Sequence, residues 1–375
     1  MGKYVDSLNQ KIQLTDKKRY RREQYQSFMT GPEWRNVEMA EEFTQFLRDG
    51  KSMFQYPYFR QISDLWGVFF NSYSAARKYN SRSEIFFSEY MLMDLFVVVF
   101  TTLELIPKGL ISLILYPFLK KENNSEMQQH FADYLQKYAA DLQTIPFYDH
   151  NYHEIRVDLA EKYKQYQNRT WVDWFSWKMI SAELFTKKWV SKPLKYWFHQ
   201  EGNEAPPATD ILVKFDAIDV TDPEEAKRIF SERLAEIAKD HNVNLVDDTL
   251  YVKDHKTKKG VTYTSVYARL EAPRYAAFQP VVCALGQQEI HLRKIAGQDR
   301  VQVKCTIDAQ DADSLLAKKE DLNKTKKVEA LYTYKDRINP NHEICLFDVP
   351  IRNLDKTLQR MQKQEGVQAG FIHNF

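Results

Sequence analysis

The chain has 375 residues, enough for two or three domains with buried cores. Its 53 basic and 51 acidic residues nearly cancel. No global field therefore selects nucleic acid or anionic lipid, and either partner must be met by a local patch. The three cysteines, Cys283, Cys305 and Cys345, have no CxxC spacing; this excludes a disulfide framework and suits a reducing compartment.

The N-terminus shows no apolar signal-peptide core. Met1-Gly2 invites myristoylation, but Asp6 stands where that motif wants Ser or Thr. Residues 16 to 35 combine Lys17, Lys18, Arg19, Arg21 and Arg22 with Tyr20, Tyr25, Phe28 and Trp34. This reads as a solvated helix start, with a basic-aromatic membrane contact as the sharper option. Residues 36 to 82 carry apolar residues at helical spacing (Val37, Phe43, Leu47, then Ile62, Leu65, Phe69), punctuated by Gly50 and Pro57.

Leu95 to Leu119 (LFVVVFTTLELIPKGLISLILYPFL) is the most apolar stretch. A helix is expected over Glu84 to Ile106, interrupted by Pro107, with Lys108-Gly109 supplying a turn into a second run, Leu110 to Leu119. The uncharged runs are shorter than the roughly 18 to 20 residues that a bilayer span needs. Three arrangements stay open: a buried helix pair, a re-entrant or monotopic hairpin, and a kinked span. The charges of Glu104 and Lys108 disfavour the last. On the hairpin reading Phe96, Val98, Leu110, Ile114 and Phe118 contact lipid. Basic residues on both sides place the two ends on the cytoplasmic face.

Residues 122 to 168 read as two polar-faced helices broken near Pro146. They hold the histidine cluster Asp149-His150-Asn151-Tyr152-His153-Glu154, with Glu126 and His130 upstream. On helices, His150 and His153 share a face, as do Glu126 and His130, which suggests a zinc or iron site that would include Glu154. There is no HExxH and no ExxH of the di-iron kind, so ordinary surface histidines are the plainer reading.

Thr170 to His199 holds five of the seven tryptophans. Trp171, Trp174 and Trp177 share a helix side, and lysines interleave with Trp189, Tyr196, Trp197 and Phe198. Amphipathic rings beside lysines suit a bilayer interface, although a Trp stripe also suits a core. On the first reading Trp174, Trp177, Trp189 and Trp197 are the interfacial contacts.

Residues 200–209, with Pro206-Pro207, form the expected linker, which closes an all-α domain over 1–199. Beyond it the pattern is βαββαβ over 210–298 and again over 299–375, the order of a ferredoxin-like unit. Val213-Lys214 matches Val303-Lys304, and Ala272-Pro273 matches Val349-Pro350. The whole is expected to be α+β, with two copies packed sheet on sheet as a pseudo-dimer.

No nucleotide-binding, serine-hydrolase or metalloprotease motif occurs, and no cofactor is implied. Lys259-Gly260-Val261-Thr262-Tyr263 resembles the basic-Gly-aromatic stretch of an RNA-recognition sheet, with Phe215 as a possible second ring. Val261 and the missing equivalent in the second copy count against it. The expected function is a non-enzymatic, membrane-associated interaction protein on the cytoplasmic face, with a protein partner for its C-terminal module. A metal-dependent enzyme and an RNA-binding protein are the alternatives.

Overall fold

The computed structural model describes residues 30–77, 81–87, 89–118, 126–143, 147–198, 208–246, 250–256, 262–273, 277–295, 299–308 and 328–373. The basic run at 17–28, most of the expected linker, Lys259 and the stretch 309–327, where the second βαββαβ pattern expects its first helix, lie outside the described residues. Helices and two antiparallel sheets make the protein α+β. The described residues divide into a helical unit within 30–198 and an α/β unit within 208–373.

The helical unit opens on α1 (Gly31–Arg48), which starts with a capping box. The Thr30 amide donates to Glu33 Oε2 at 2.7 Å, and Pro32 in the first turn has no amide hydrogen to leave unpaired. Helix α2 (Tyr58–Ala76) follows, then a short α3 (Arg82–Phe86) and the long apolar α4 (Glu89–Leu115). After these come α5 (Glu126–Leu142), α6 (Tyr152–Gln165) and α7 (Trp171–Phe198). The core gathers Phe43, Leu47, Phe54 and Tyr58 with Met127, Phe131, Leu135, Tyr152, Ile180 and Leu184. Arg35, 2% exposed, is held inside it by Glu42 at 2.6 Å and Gln61 at 2.5 Å. A buried guanidinium needs such partners, because an uncompensated charge there is strongly destabilising.

The turn expected at Pro107 does not form, and α4 runs through it unbroken. Proline removes one helical hydrogen bond, to the carbonyl of Leu103. The turn is bridged instead by the side chains: Lys108 Nζ donates to Glu104 Oε1 at 2.6 Å, an i,i+4 pair across the proline. Gly109 allows α2 close in; a Cβ there would stand 2.8 Å from the Phe59 ring.

In the α/β unit β1 (Ala208–Ile218) leads to α8 (Pro223–Asp240), capped by the Asp222 carboxylate, which accepts from the Glu224 amide at 3.0 Å. Strands β2 (Asn244–Leu245), β3 (Tyr251–Lys256) and β4 (Thr262–Pro273), helix α9 (Phe278–Gln287) and β5 (Ile290–Ile295) follow. The one strand that the expected βαββαβ order places after the first helix is thus two pieces, both paired along β4. The remaining elements are β6 (Arg300–Asp308), β7 (Glu329–Lys335), β8 (His342–Pro350), α10 (Leu354–Lys363) and β9 (Val367–His373). The sheet orders are β2-β4-β1-β5, with β3 also on β4, and β7-β8-β6-β9. In each, the first strand lies between the third and the last. Each also carries a register shift where its first strand meets its last, at Leu212/Val213 and at Val303/Cys305.

Alternation sends Val213, Phe215, Val303 and Cys305 into one continuous core under the helices. Lys214 and Asp216, and likewise Gln302 and Lys304, take the opposite faces, which are therefore too polar for the expected apolar sheet-on-sheet packing. The layers of the two sheets meet instead through α9 and α10, so closely that a Cβ on Gly286 would lie 3.2 Å from Asp355.

Candidate functional site

Helix α4 is built inside out. Around a helix that advances 100° per residue, Leu92, Leu95, Val99, Leu103, Ile106, Leu110, Leu113 and Ile114 fall within an arc of about 100°. All eight are exposed, Leu103 and Leu113 to 63% and Ile114 to 68%. Beyond them Tyr116 and Phe118 are exposed too. From Met91 to Phe118 every exposed side chain except the amphipathic Tyr116 is apolar, while Asp94, Thr101, Thr102, Glu104, Lys108 and Ser112 are buried or half-buried. A helix on a water-facing surface has the reverse arrangement. The stripe from Leu92 to Ile114 is about 33 Å long at 1.5 Å per residue. Among the described residues Met91–Phe118 is the one helical stretch long and apolar enough to cross a membrane.

The inward polar groups are paired. Trp66 Nε1 donates to Thr102 Oγ1 at 3.1 Å, and Asn36 Nδ2 to Thr101 Oγ1 at 3.3 Å. At mid-helix a quartet of charges ties α4 to α7. Lys108 Nζ donates to Glu104 at 2.6 Å and to Glu183 Oε2 at 2.5 Å. Lys187 Nζ donates to the other oxygen of Glu183 at 2.5 Å and lies 3.6 Å from Glu104. Two acids and two bases cancel, as burial demands.

Burial alone would raise the Glu183 carboxyl, but Lys108 and Lys187 override it and hold the group at about 2. Burial would likewise lower Lys187, and Glu104 with Glu183 instead push it well above its usual value. Burial raises the Tyr58 and Tyr134 hydroxyls nearby, so the quartet is bordered by neutral phenols. A carboxylate this weakly basic is an acceptor and a tether, not a general base at neutral pH.

Helix α7 shows a second kind of surface. Trp171, Trp174, Phe185, Trp189 and Tyr196 are exposed, Trp189 to 73% and Tyr196 to 86%. Lys178, Lys188, Lys192 and Lys195 are exposed among them. The acids of this helix are turned in: Glu183 belongs to the quartet, and Asp173, 2% exposed, accepts from the Thr170 amide and hydroxyl at 2.9 and 2.7 Å.

Of the residues expected at lipid, Leu110, Ile114, Phe118, Trp174 and Trp189 are on the surface. Val98 is not: it is fully buried against Leu65 and Phe69. Phe96 is half-buried, stacked on Phe100 at 5.6 Å and Phe147 at 5.7 Å. Trp177 is half-buried on Tyr163, 5.7 Å between centroids. Val98 lies on the inner arc of α4, whereas Phe96 and Trp177 sit at the edges of the exposed arcs and are covered by neighbouring rings, which helical spacing does not show. The Trp197 side chain lies outside the described residues. Leu92, Leu95, Val99, Leu103, Ile106 and Leu113 were missed, although adding 100° per residue along the apolar residues finds them. Glu183 and Lys187 carry no local signal, being 75 or more positions from their partners on α4.

The expected metal cluster does not assemble. His130, His150 and Glu154 line an open cleft of about 370 Å³ between α5 and α6. His150 precedes α6 and packs against the rings of Tyr138 and Tyr152, so it does not share a helix face with His153. Glu126 and His153 lie outside the cleft lining. Among the described residues no three His, Cys, Asp or Glu side chains could hold a metal ion.

The ring pair expected for RNA is split. Phe215 is 2% exposed, under the Arg233 guanidinium at 4.8 Å, and cannot stack on a base. Tyr263, half-buried, stacks on His255 at 4.8 Å instead. No protein-family model, curated protein or solved structure matches this chain.

Proposed function

We propose that the protein is a non-enzymatic, monotopic membrane-associated protein whose helical unit docks on a bilayer through the outer stripe of α4. The observation that carries this reading is the inverted helix: apart from the amphipathic Tyr116, every exposed side chain from Met91 to Phe118 is apolar, and every charged one is turned into the protein. An apolar stripe of this length exceeds the scattered surface residues of a water-soluble monomer and marks an interaction site. The lipid-facing set is Leu92, Leu95, Val99, Leu103, Ile106, Leu110, Leu113, Ile114 and Phe118.

The helix lies in the membrane plane and does not cross it. Glu104, near the middle of the stripe, is joined to Lys187 of α7. A crossing α4 would therefore carry the neighbouring exposed Lys188 toward the bilayer centre, where a lysine is costly. In an interfacial pose the stripe enters the acyl boundary by about 5–10 Å, and the lysines stay at headgroup level.

The α/β unit is read as a tandem pair of ferredoxin-like units that binds a protein partner. Support for the repeat comes from the matching strand orders and the matching register shifts at Val213 and Val303. Three free cysteines suit the cytoplasmic face.

Vesicle flotation of the full chain tests the membrane reading. The wild type is expected to float with liposomes, and Leu103→Glu/Leu110→Glu to stay at the bottom while keeping the wild-type circular-dichroism spectrum and Tm. A double variant that floats as the wild type does would sink the reading.

A further inference from the structure

We infer that α7 makes the docking selective for anionic phospholipid headgroups. This rests on the membrane reading above and adds a lipid class to it.

The argument starts from how α7 distributes its charges. Taking Trp189 as the origin and 100° per residue, Lys178, Phe185, Lys188, Trp189, Lys192, Lys195 and Tyr196 fall within one arc of about 120°. Their side chains are exposed. Leu184, Glu183, Lys187, Ser191 and Leu194 occupy the opposite arc and are buried or half-buried. The exposed face therefore alternates rings and ammonium groups and contains no carboxylate, because Asp173 and Glu183 are engaged inside.

Among the described residues no acid lies within ion-pair distance of Lys178, Lys188 or Lys192; Lys195 reaches only Asp149, at 3.8 Å. Lys178 lies over the Trp174 ring, 5.5 Å from its centroid, which keeps its charge at the surface. By contrast Lys187, one residue from Lys188, is neutralised by two carboxylates. The chain thus has both options on one helix; it leaves Lys178, Lys188 and Lys192 without a carboxylate and gives Lys195 only a long pair with Asp149.

Indole and phenol rings settle at the headgroup level, and lysines beside them are drawn to phosphate and carboxylate groups of anionic lipid. Each lysine near such a surface is worth about a fivefold gain in partitioning. Such an attraction weakens as the Debye length falls from about 10 Å at 0.1 M salt to 3 Å at 1 M.

Flotation of the full chain with phosphatidylcholine vesicles, with and without phosphatidylserine, tests this. The wild type is expected to bind the serine-containing vesicles at least tenfold more tightly, with the excess removed by 1 M salt. The variant Lys178→Gln/Lys188→Gln/Lys192→Gln/Lys195→Gln changes only exposed side chains. It is expected to lose that preference and keep its binding to phosphatidylcholine. Equal wild-type binding to both vesicles overturns the selectivity while leaving membrane docking in place, and so does a quadruple variant that keeps the preference. Binding to neither vesicle overturns both. A preference retained by Leu103→Glu/Leu110→Glu assigns the docking to α7 alone and overturns the role of α4.

Discussion

Helices α4 and α9 are both strongly apolar, and they treat that surface in opposite ways. Helix α9 hides Phe278, Val281, Val282 and Leu285 completely, under its own sheet and against α10. Helix α4 hides its charges and shows its leucines. The contrast extends to the units: among the described residues of the α/β unit only Ile218 and Ile338 are large exposed hydrophobics. Apolar content alone says that a helix needs a cover. The side on which its polar residues lie says whether the protein provides that cover or something else does.

Breaking the polar side of α4 is expected to have the largest effect. Glu183→Gln leaves Lys108 and Lys187 sharing Glu104 alone, and removal of one partner from such a buried network costs about 3–5 kcal/mol. Urea unfolding measures it. Next, Leu285→Ala in α9 is expected to cost about 2–5 kcal/mol, because its site is closed on all sides. Leu103→Ala in α4 is expected to stay within about 0.5 kcal/mol. Similar losses for the two would end the comparison, since the stripe would then be core.

Acid sharpens the comparison further. The Glu183 carboxyl lies lower in the folded protein than its ordinary 4.5, at about 2. Its stabilising contribution is therefore complete above the unfolded value and is lost as pH falls from there through about 2. Thermal unfolding between neutral pH and pH 5 should show no Glu183-dependent change, whereas Glu183→Gln should flatten the loss below pH 4.5. A small effect is also expected at Gly109. A Cβ there meets the Phe59 ring at 2.8 Å, but that ring is 44% exposed and free to swing. Gly109→Ala should cost about 1 kcal/mol or less, and Phe59→Leu should restore it, both read from Tm.

Periodicity was informative where one residue type had one place to go. The change from helices to strands from residue 208, the cap at Asp222-Pro223 and the inward alternation of Val213 and Val303 follow from local rules. Pro107 misled because the penalty of an interior proline was weighed without the Glu104–Lys108 bridge across it. Val98 and Leu103 look alike in the sequence; only the arcs of Thr101, Glu104 and Lys108 tell which of the two faces inward. The quartet was beyond reach, since nothing near Glu183 announces Lys108, 75 positions away.

Pro107 also sets a limit on depth. It has no amide hydrogen, so the Leu103 carbonyl, midway along the stripe, lacks the donor one turn ahead that its neighbours have. In hydrocarbon an unsatisfied carbonyl is penalised by several kcal/mol, whereas at the hydrated boundary water supplies the missing hydrogen bond. On the proposed membrane reading the backbone itself would act as a float line: α4 would sink until its side chains are covered and stop where that one oxygen still meets water.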